Sequence, residues 1–158
     1  MASAPRYVGA DAAAARDYLC AALGWSEQDF LRVFDLDGDG AVLGADEAAF
    51  VRAVCMAETE VDEALAASHG APFVGAAVTD SVREVAALRV PWCAVRGRGL
   101  ADGDKGAMAG LYKASNERLE RLQKDRGARI PGRGAPEPAA TYAGVVSAGE
   151  SFWRGGRY

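Results

Sequence analysis

The residues most able to do chemistry in this chain are carboxylates gathered in one short stretch, D-L-D-G-D-G-A-V-L-G-A-D. They are Asp35, Asp37, Asp39 and Asp46. Carboxylates held this close together repel one another unless a cation lies between them. Their hard oxygen atoms suit Ca²⁺ or Mg²⁺, whereas zinc would favour cysteine or histidine. Gly40 can adopt the positive φ that turns the chain back and directs the Ala41 carbonyl at the same centre. The stretch therefore predicts a site for one divalent cation.

This stretch resembles the calcium-binding loop of the EF-hand family, the calmodulin-like helix–loop–helix proteins. The resemblance implies a metal-binding loop at 35–46 between two helices. It also implies ligands at loop positions one, three, five, seven and twelve, which are Asp35, Asp37, Asp39, the Ala41 carbonyl and Asp46. Phe34 precedes the loop as in the family, and Val42 matches the apolar eighth position, which pairs with a neighbouring loop.

Two positions depart from the family pattern. Leu43, at the ninth position, offers no oxygen to the metal or to a bound water. Asp46 stands at the twelfth position, where the family usually has a glutamate that binds Ca²⁺ through both oxygens. Because aspartate is one methylene shorter, the site either contracts, which favours Mg²⁺, or binds Ca²⁺ more weakly. The alternative interpretation is an acidic turn that binds no ion, since Asp and Gly are common turn formers.

A second loop is predicted because EF-hands usually occur in pairs, and a lone loop would leave an unpaired strand edge. The family's usual offset of about 36 residues places this loop at 71–82. Val78 then occupies the position that matches Val42. No side chain at the ligand positions of 71–82 could bind a metal, so this would be a degenerate pairing loop. The alternative is an ordinary apolar loop between two helices.

Hydrophobic periodicity predicts an all-α fold. Helices are expected at 11–23, 26–34, 44–57, 60–68, 80–89 and 107–126. Thr59 is expected to cap the fourth of these, and Pro91 to end the fifth. The predicted organisation is an EF-hand pair in a domain at 1–90, a Gly-rich linker at 91–106, an amphipathic helix at 107–127 and an extended tail at 128–158.

Charge is distributed unevenly along a chain whose net charge is −4. Residues 1–70 carry 13 acidic and 4 basic side chains, whereas residues 71–158 carry 9 acidic and 14 basic ones. This asymmetry indicates a charged partner. The cysteines, Cys20, Cys55 and Cys93, lack a C-x-x-C motif and are expected to be reduced thiols. No stretch approaches the about 20 apolar residues of a membrane span, and no secretory apolar region opens the chain, so a cytoplasmic location is expected.

The helix at 107–126 and the tail at 128–158 are predicted to bind protein partners in a large complex. The helix has a narrow apolar stripe, which is typical of packing on a surface or on a partner. Acidic residues interleaved with its bases disfavour a membrane or nucleic-acid surface. The tail spaces aromatic residues between arginines, as peptides do when such side chains anchor them to a partner. These aromatic residues are Tyr142, Phe152, Trp153 and Tyr158.

The side chains that could take part in catalysis do not form a recognisable catalytic set in the sequence. The one histidine, His69, stands at a predicted helix end with no paired acid or nucleophile nearby in the sequence. Cys93 follows an apolar tryptophan, which is typical of a packed thiol. The clustered carboxylates of the loop are expected to serve as metal ligands. We therefore expect no catalytic activity.

The sequence predicts a non-catalytic EF-hand subunit with a structural role in a larger intracellular assembly, binding one Ca²⁺ or Mg²⁺ ion. A compact core joined to an Arg/Tyr/Gly tail resembles small EF-hand proteins of cilia and the cytoskeleton, including those fixed inside microtubules. That resemblance implies a microtubule-associated protein of the cytoskeleton or the ciliary axoneme. The alternative is a free calcium sensor, which exposes an apolar groove on Ca²⁺ loading and binds a target helix.

Overall fold

The computed structural model of the protein describes residues 5–70, 72–73, 78–96 and 102–124, with 102–105 described by their backbone only. Within these residues the fold is all-α, as predicted, with five helices and no strand. In chain order the helices are α1 (Ala12–Leu23), α2 (Glu27–Phe34), α3 (Ala45–His69), α4 (Asp80–Val95) and α5 (Asp102–Lys124).

Local capping chemistry sets the boundaries of the first two helices. The Asp11 carboxylate accepts a hydrogen bond from the Ala14 amide at 2.8 Å at the start of α1. Gly24 ends α1 with a φ of 65°, a conformation that glycine adopts without strain. Ser26 and Asp29 form a reciprocal capping box at the start of α2. These predicted helix ends are confirmed.

α3 is one continuous helix, which corrects the predicted break between residues 57 and 60. The expected cap, Thr59, lies inside the helix, where its hydroxyl donates to the Cys55 carbonyl at 2.8 Å. This bond to the preceding turn satisfies a threonine side chain without ending a helix. Ala57 and Val61 on either side of Thr59 are fully buried. Packing of both halves on the same core therefore favours one helix over two.

α4 begins at its predicted cap, Thr79, but continues through Pro91 to Val95. The prediction that Pro91 would end this helix is wrong. A proline inside a helix costs about 3 kcal/mol, because it removes a backbone hydrogen bond and crowds the preceding turn. Val90, Cys93 and Val95 are nonetheless buried, and burying an apolar side chain of valine size contributes about 1.5 kcal/mol or more. Packing of the last turns of α4 thus offsets the cost of Pro91.

Helical structure also extends into the predicted Gly-rich linker at 91–106. α4 reaches Val95, and α5 already begins at Asp102. Both ends of the predicted linker are therefore helical, and residues 97–101 lie outside the described residues. The linker was predicted from its many glycines, which have low helix propensity. Tertiary packing can outweigh that low propensity.

The core forms where α3, α4 and α5 pack together, and α1 and α2 close it. α5 belongs to this core, since Leu119 is 4% exposed and Ser115 is fully buried. The Ser115 hydroxyl donates to the Val85 carbonyl of α4 at 3.1 Å. α5 was predicted to lie on a surface or on a partner. Its inner face instead packs in the core of the fold, and its outer face remains exposed.

A buried carboxylate binds the N-terminal segment to the helices. Glu58 of α3 has no exposed surface. Its oxygens accept hydrogen bonds from the backbone amides of Arg6, Tyr7 and Val8 at distances between 2.7 and 3.1 Å. Three amide donors satisfy a charge that would otherwise be costly to bury. This contact fixes the position where the chain enters the fold.

Tyr7 connects the N-terminal segment to further parts of the chain. Its hydroxyl donates to Asp62 of α3 and accepts a hydrogen bond from the Phe73 amide at 2.9 Å. Its carbonyl accepts from the Arg83 side chain of α4, also at 2.9 Å. Tyr7 itself is 2% exposed. The first described residues are thus an integral part of the core.

Two predictions concern residues that the structure describes only in part or not at all. Val42 and Val78 are both partly buried against the core, and no strand occurs in the described part of the chain. Residues 71 and 74–77 of the predicted loop at 71–82, which would carry part of such a strand, lie outside the described residues. The pairing of Val42 with Val78 stays a prediction, and the tail at 128–158 lies entirely outside the described residues.

Candidate metal-binding loop

An aromatic cluster holds the two ends of the acidic loop. Phe30 and Phe34 of α2 and Phe50 of α3 are each 1% exposed. Their ring centroids lie between 4.8 and 5.2 Å apart, in tilted and edge-to-face arrangements that aromatic pairs prefer. The cluster packs the end of α2 against the beginning of α3. The loop between these helices is therefore positioned by a rigid apolar contact.

Three carboxylates converge in this loop. Asp35, Asp37 and Asp39 each offer one oxygen, and these oxygens all lie within 4.8 Å of one another. Asp35 is half-buried and the other two are exposed. Two like charges at this separation repel by about 1 kcal/mol in water and more strongly near a protein surface. A divalent cation would replace that repulsion by attraction, so the cluster could hold a metal ion.

Backbone amides within the loop orient the carboxylates. Asp35 accepts hydrogen bonds from the Gly38 and Gly40 amides at 2.7 and 2.9 Å. Asp39 accepts one from the Ala41 amide at 2.9 Å. Gly40 has a φ of 85°, as the turn was predicted to require. Ionised carboxylate oxygens carry about four lone-pair sites between them, so these bonds leave acceptor capacity for a cation.

Asp46 closes the loop from the side of α3 and is not one of the three converging carboxylates. Its Oδ2 accepts a hydrogen bond from the Leu36 amide at 2.8 Å, and its side chain is 5% exposed. This bond joins the start of the loop to the first turn of α3. Sequence reasoning missed it, because it predicted Asp46 only as a ligand. The ligand roles of Asp46 and of the Ala41 carbonyl stay predictions.

Two leucines of the loop are solvent-exposed. Leu36 is 50% exposed and Leu43 is 70% exposed, and no other large apolar side chain among the described residues is classed as exposed. The exposure of Leu43 agrees with a loop position that gives the metal no oxygen. The loop therefore presents apolar side chains beside its carboxylates.

The two side chains weighed as catalytic candidates take part in packing contacts. His69 Nε2 lies 2.7 Å from the Leu122 carbonyl oxygen, and since a carbonyl only accepts, Nε2 carries the proton. Cys93 is buried, and burial, with Glu60 nearby, raises the pKa of its thiol to about 11. Its reactive thiolate form is therefore disfavoured at neutral pH. None of the three cysteines forms a disulfide.

Comparison with known proteins gives no match, either to a family model, to a curated protein or to a solved structure. The EF-hand interpretation therefore rests on the loop itself, on three converging carboxylates between two helices. Within the described part of the chain, no helix combines the length and the apolar character needed to cross a membrane.

Proposed function

We propose that the protein is a non-catalytic structural subunit of a larger intracellular assembly, and that its 35–46 loop binds one Ca²⁺ or Mg²⁺ ion in the EF-hand manner. The observation that carries this proposal is the convergence of Asp35, Asp37 and Asp39 within 4.8 Å. An all-carboxylate cluster favours hard divalent cations over the softer transition metals. The Ala41 carbonyl and Asp46 would add oxygen ligands.

The contacts of Asp46 bear on which ion is preferred. The Oδ2 atom of Asp46 already accepts a hydrogen bond from the Leu36 amide. Oδ1 is therefore the oxygen more available to coordinate the ion, and we expect Asp46 to supply a single ligand atom. Ca²⁺ sites of high affinity usually gain two oxygens from this position. The loop is therefore expected to bind Ca²⁺ weakly or to accept the smaller Mg²⁺.

Burial of the aromatic cluster supports a structural role over calcium sensing. A sensor opens its helix pair and exposes apolar side chains when the ion binds. Opening α2 from α3 here would expose Phe30, Phe34 and Phe50, at a cost of about 1.5–3 kcal/mol for each ring. A single weak site supplies little free energy to offset that cost. Ion binding is therefore expected to stabilise the existing arrangement.

The outer face of α5 and the tail are the proposed contacts with the assembly. Lys113, Glu117 and Arg121 on this face are exposed, and the tail adds the separated aromatic and arginine residues described above. Exposed Leu36 and Leu43 offer further apolar surface. A microtubule-based assembly of the cytoskeleton or the cilium is the candidate that the resemblance to small EF-hand proteins suggests.

Calorimetric titration of the whole chain with Ca²⁺ and with Mg²⁺ tests the metal site. We expect one site with a Kd on the order of 10⁻⁵–10⁻³ M. Asp35→Ala should abolish binding, and Asp39→Asn should weaken it by about tenfold or more, because affinity falls with the number of charged ligands. Asp17→Asn on α1 removes an exposed carboxylate outside the loop and is the matched control.

Each other outcome has a defined meaning. Absence of binding with both ions would leave the loop as an acidic turn. Two comparable Ca²⁺ sites, or strong binding of an apolar dye on Ca²⁺ addition, would favour the calcium sensor. Residence in the assembly is a separate measurement, since a structural subunit should be recovered with its complex in constant stoichiometry whether or not Ca²⁺ is present.

A further inference from the structure

A groove of about 820 Å³ runs along the outer face of α3. It extends from Gly44 to Glu63, a distance of about 29 Å at the rise of an α-helix. Val51, Cys55 and Met56 line it and are each only partly buried. Val51 and Met56 also pack against the edge of the core. The groove thus presents an apolar floor that the described elements leave partly open.

Acidic side chains flank this floor. Glu47 and Glu63 are exposed and form no ion pair with another described residue. Glu60 pairs with Arg96 at 2.7 Å, which places the end of α4 on one side of the groove. Arg52 is the one basic residue of α3 among those lining it. An extended segment with aromatic and arginine side chains complements such a surface.

The course of the chain brings its remaining residues to one end of the groove. Gln123 donates to the Ala64 carbonyl at 2.7 Å, so α5 ends beside the last turns of α3. Lys124 is followed by 34 more residues, which can span about 110 Å when extended. A tethered segment meets a nearby surface at an effective concentration on the order of millimolar when the linker is short. Even a modest contact would then be occupied.

We propose that residues 150–158, E-S-F-W-R-G-G-R-Y, dock along the α3 groove of the same chain. Phe152 and Trp153 would cover the apolar floor, and Arg154 and Arg157 would lie near Glu47 and Glu63. Nine extended residues span about 30 Å, which matches the length of the groove. The earlier part of the tail and the outer face of α5 would remain available to the assembly.

Cys55 reports on this contact because it is one of the residues that line the groove. The whole chain is treated with iodoacetamide, and modification at each cysteine is followed by mass spectrometry. In the variant Phe152→Ala/Trp153→Ala we expect Cys55 to react about five- to tenfold faster, because aromatic anchors carry most of the binding energy of such contacts. Cys20 on α1, which does not line the groove, should react equally in both proteins. Tyr142→Ala is the matched tail variant and should not change the rate at Cys55.

Equal Cys55 rates in the wild type and the double variant would overturn the proposal. Excess synthetic peptide 150–158 should restore protection in the variant. Protection that increases with protein concentration would indicate a second copy and would also overturn it. Because the measurement uses purified protein in EDTA, neither metal binding nor assembly affects its outcome.

Discussion

Tyr7 and Glu58 show how single residues organise this fold through contacts distant in sequence. Glu58 is a charged residue at a fully buried position of α3, and three backbone amides satisfy it. Tyr7 contacts Asp62, Phe73 and Arg83, which lie 55 to 76 positions away. Periodicity identifies apolar faces only, so it could not find a buried carboxylate or the segment that binds to it. The loop aspartates were predictable because their spacing is local.

Tyr7 gives a prediction about alkaline pH. Burial, with its hydrogen bond to Asp62, raises the pKa of the Tyr7 phenol from 10.0 to about 12. The folded state thus favours the protonated phenol, and this contribution to stability is complete below pH 10 and is lost as pH rises towards about 12. Urea unfolding at successive pH values should show a loss of stability in this window for the wild type.

The variant Tyr7→Phe lacks the titrating group. It should be less stable at pH 8, because the Asp62 and Phe73 partners lose their hydrogen bonds, but the difference from wild type should narrow above pH 10. Tyr112→Phe, which removes a half-buried phenol of α5, is the matched control. A difference between Tyr7→Phe and wild type that stays constant from pH 8 to 12 would contradict this account.

At the scale of helices, local capping chemistry was predictable and tertiary packing was not. Ser26 and Thr79 start helices as their side chains indicate. Thr59 has the same chemistry but lies inside α3, because residues on both sides of it are buried. Pro91 lies inside α4 for the same reason. A cap residue or a proline ends a helix only when continuing the helix costs more free energy than burial of the following residues contributes.

Arg89 of α4 is expected to hold α5 against the core. It is 4% exposed, donates to Glu60 of α3 at 2.9 Å and to Asn116 of α5, and its guanidinium lies 4.7 Å from the Tyr112 ring centroid. Arg89→Met keeps most of the volume but removes the donors, and should lower the free energy of unfolding by about 1.5–3 kcal/mol.

Hydrogen exchange distinguishes this local role from general destabilisation. Amides of α5 should exchange faster in Arg89→Met, whereas those of α1 should change less. Lys113→Met replaces an exposed cation of α5 and should have little effect on either. Uniform acceleration across all helices would show that Arg89 stabilises the whole core and not the attachment of α5 in particular.

At the scale of the whole molecule, the five helices share one core among the described residues. Leu119 of α5 belongs to this core, and Leu122 packs against it. The acidic first half supplies the candidate metal loop and the groove of α3, and the basic second half supplies α5 and the tail. Composition predicted this asymmetry of charge. It could not predict that α5 joins the core, because a narrow apolar stripe fits a partner and the protein's own helices equally well.

Deletion of residues 128–158 tests whether the tail binds the assembly or stabilises the fold. The tail holds too few apolar residues to offset the about 1–2 kcal/mol per residue that backbone ordering costs, so its aromatic side chains need surfaces outside the tail. Because the described helices pack on one another in a shared core, we expect the shortened protein to keep its helical content and its metal affinity, and its unfolding midpoint to fall only by the loss of the proposed 150–158 contact. Co-purification with the assembly should be lost. A shortened protein that unfolds, or that is still recovered with the complex in full stoichiometry, would show that the tail is not the attachment we propose.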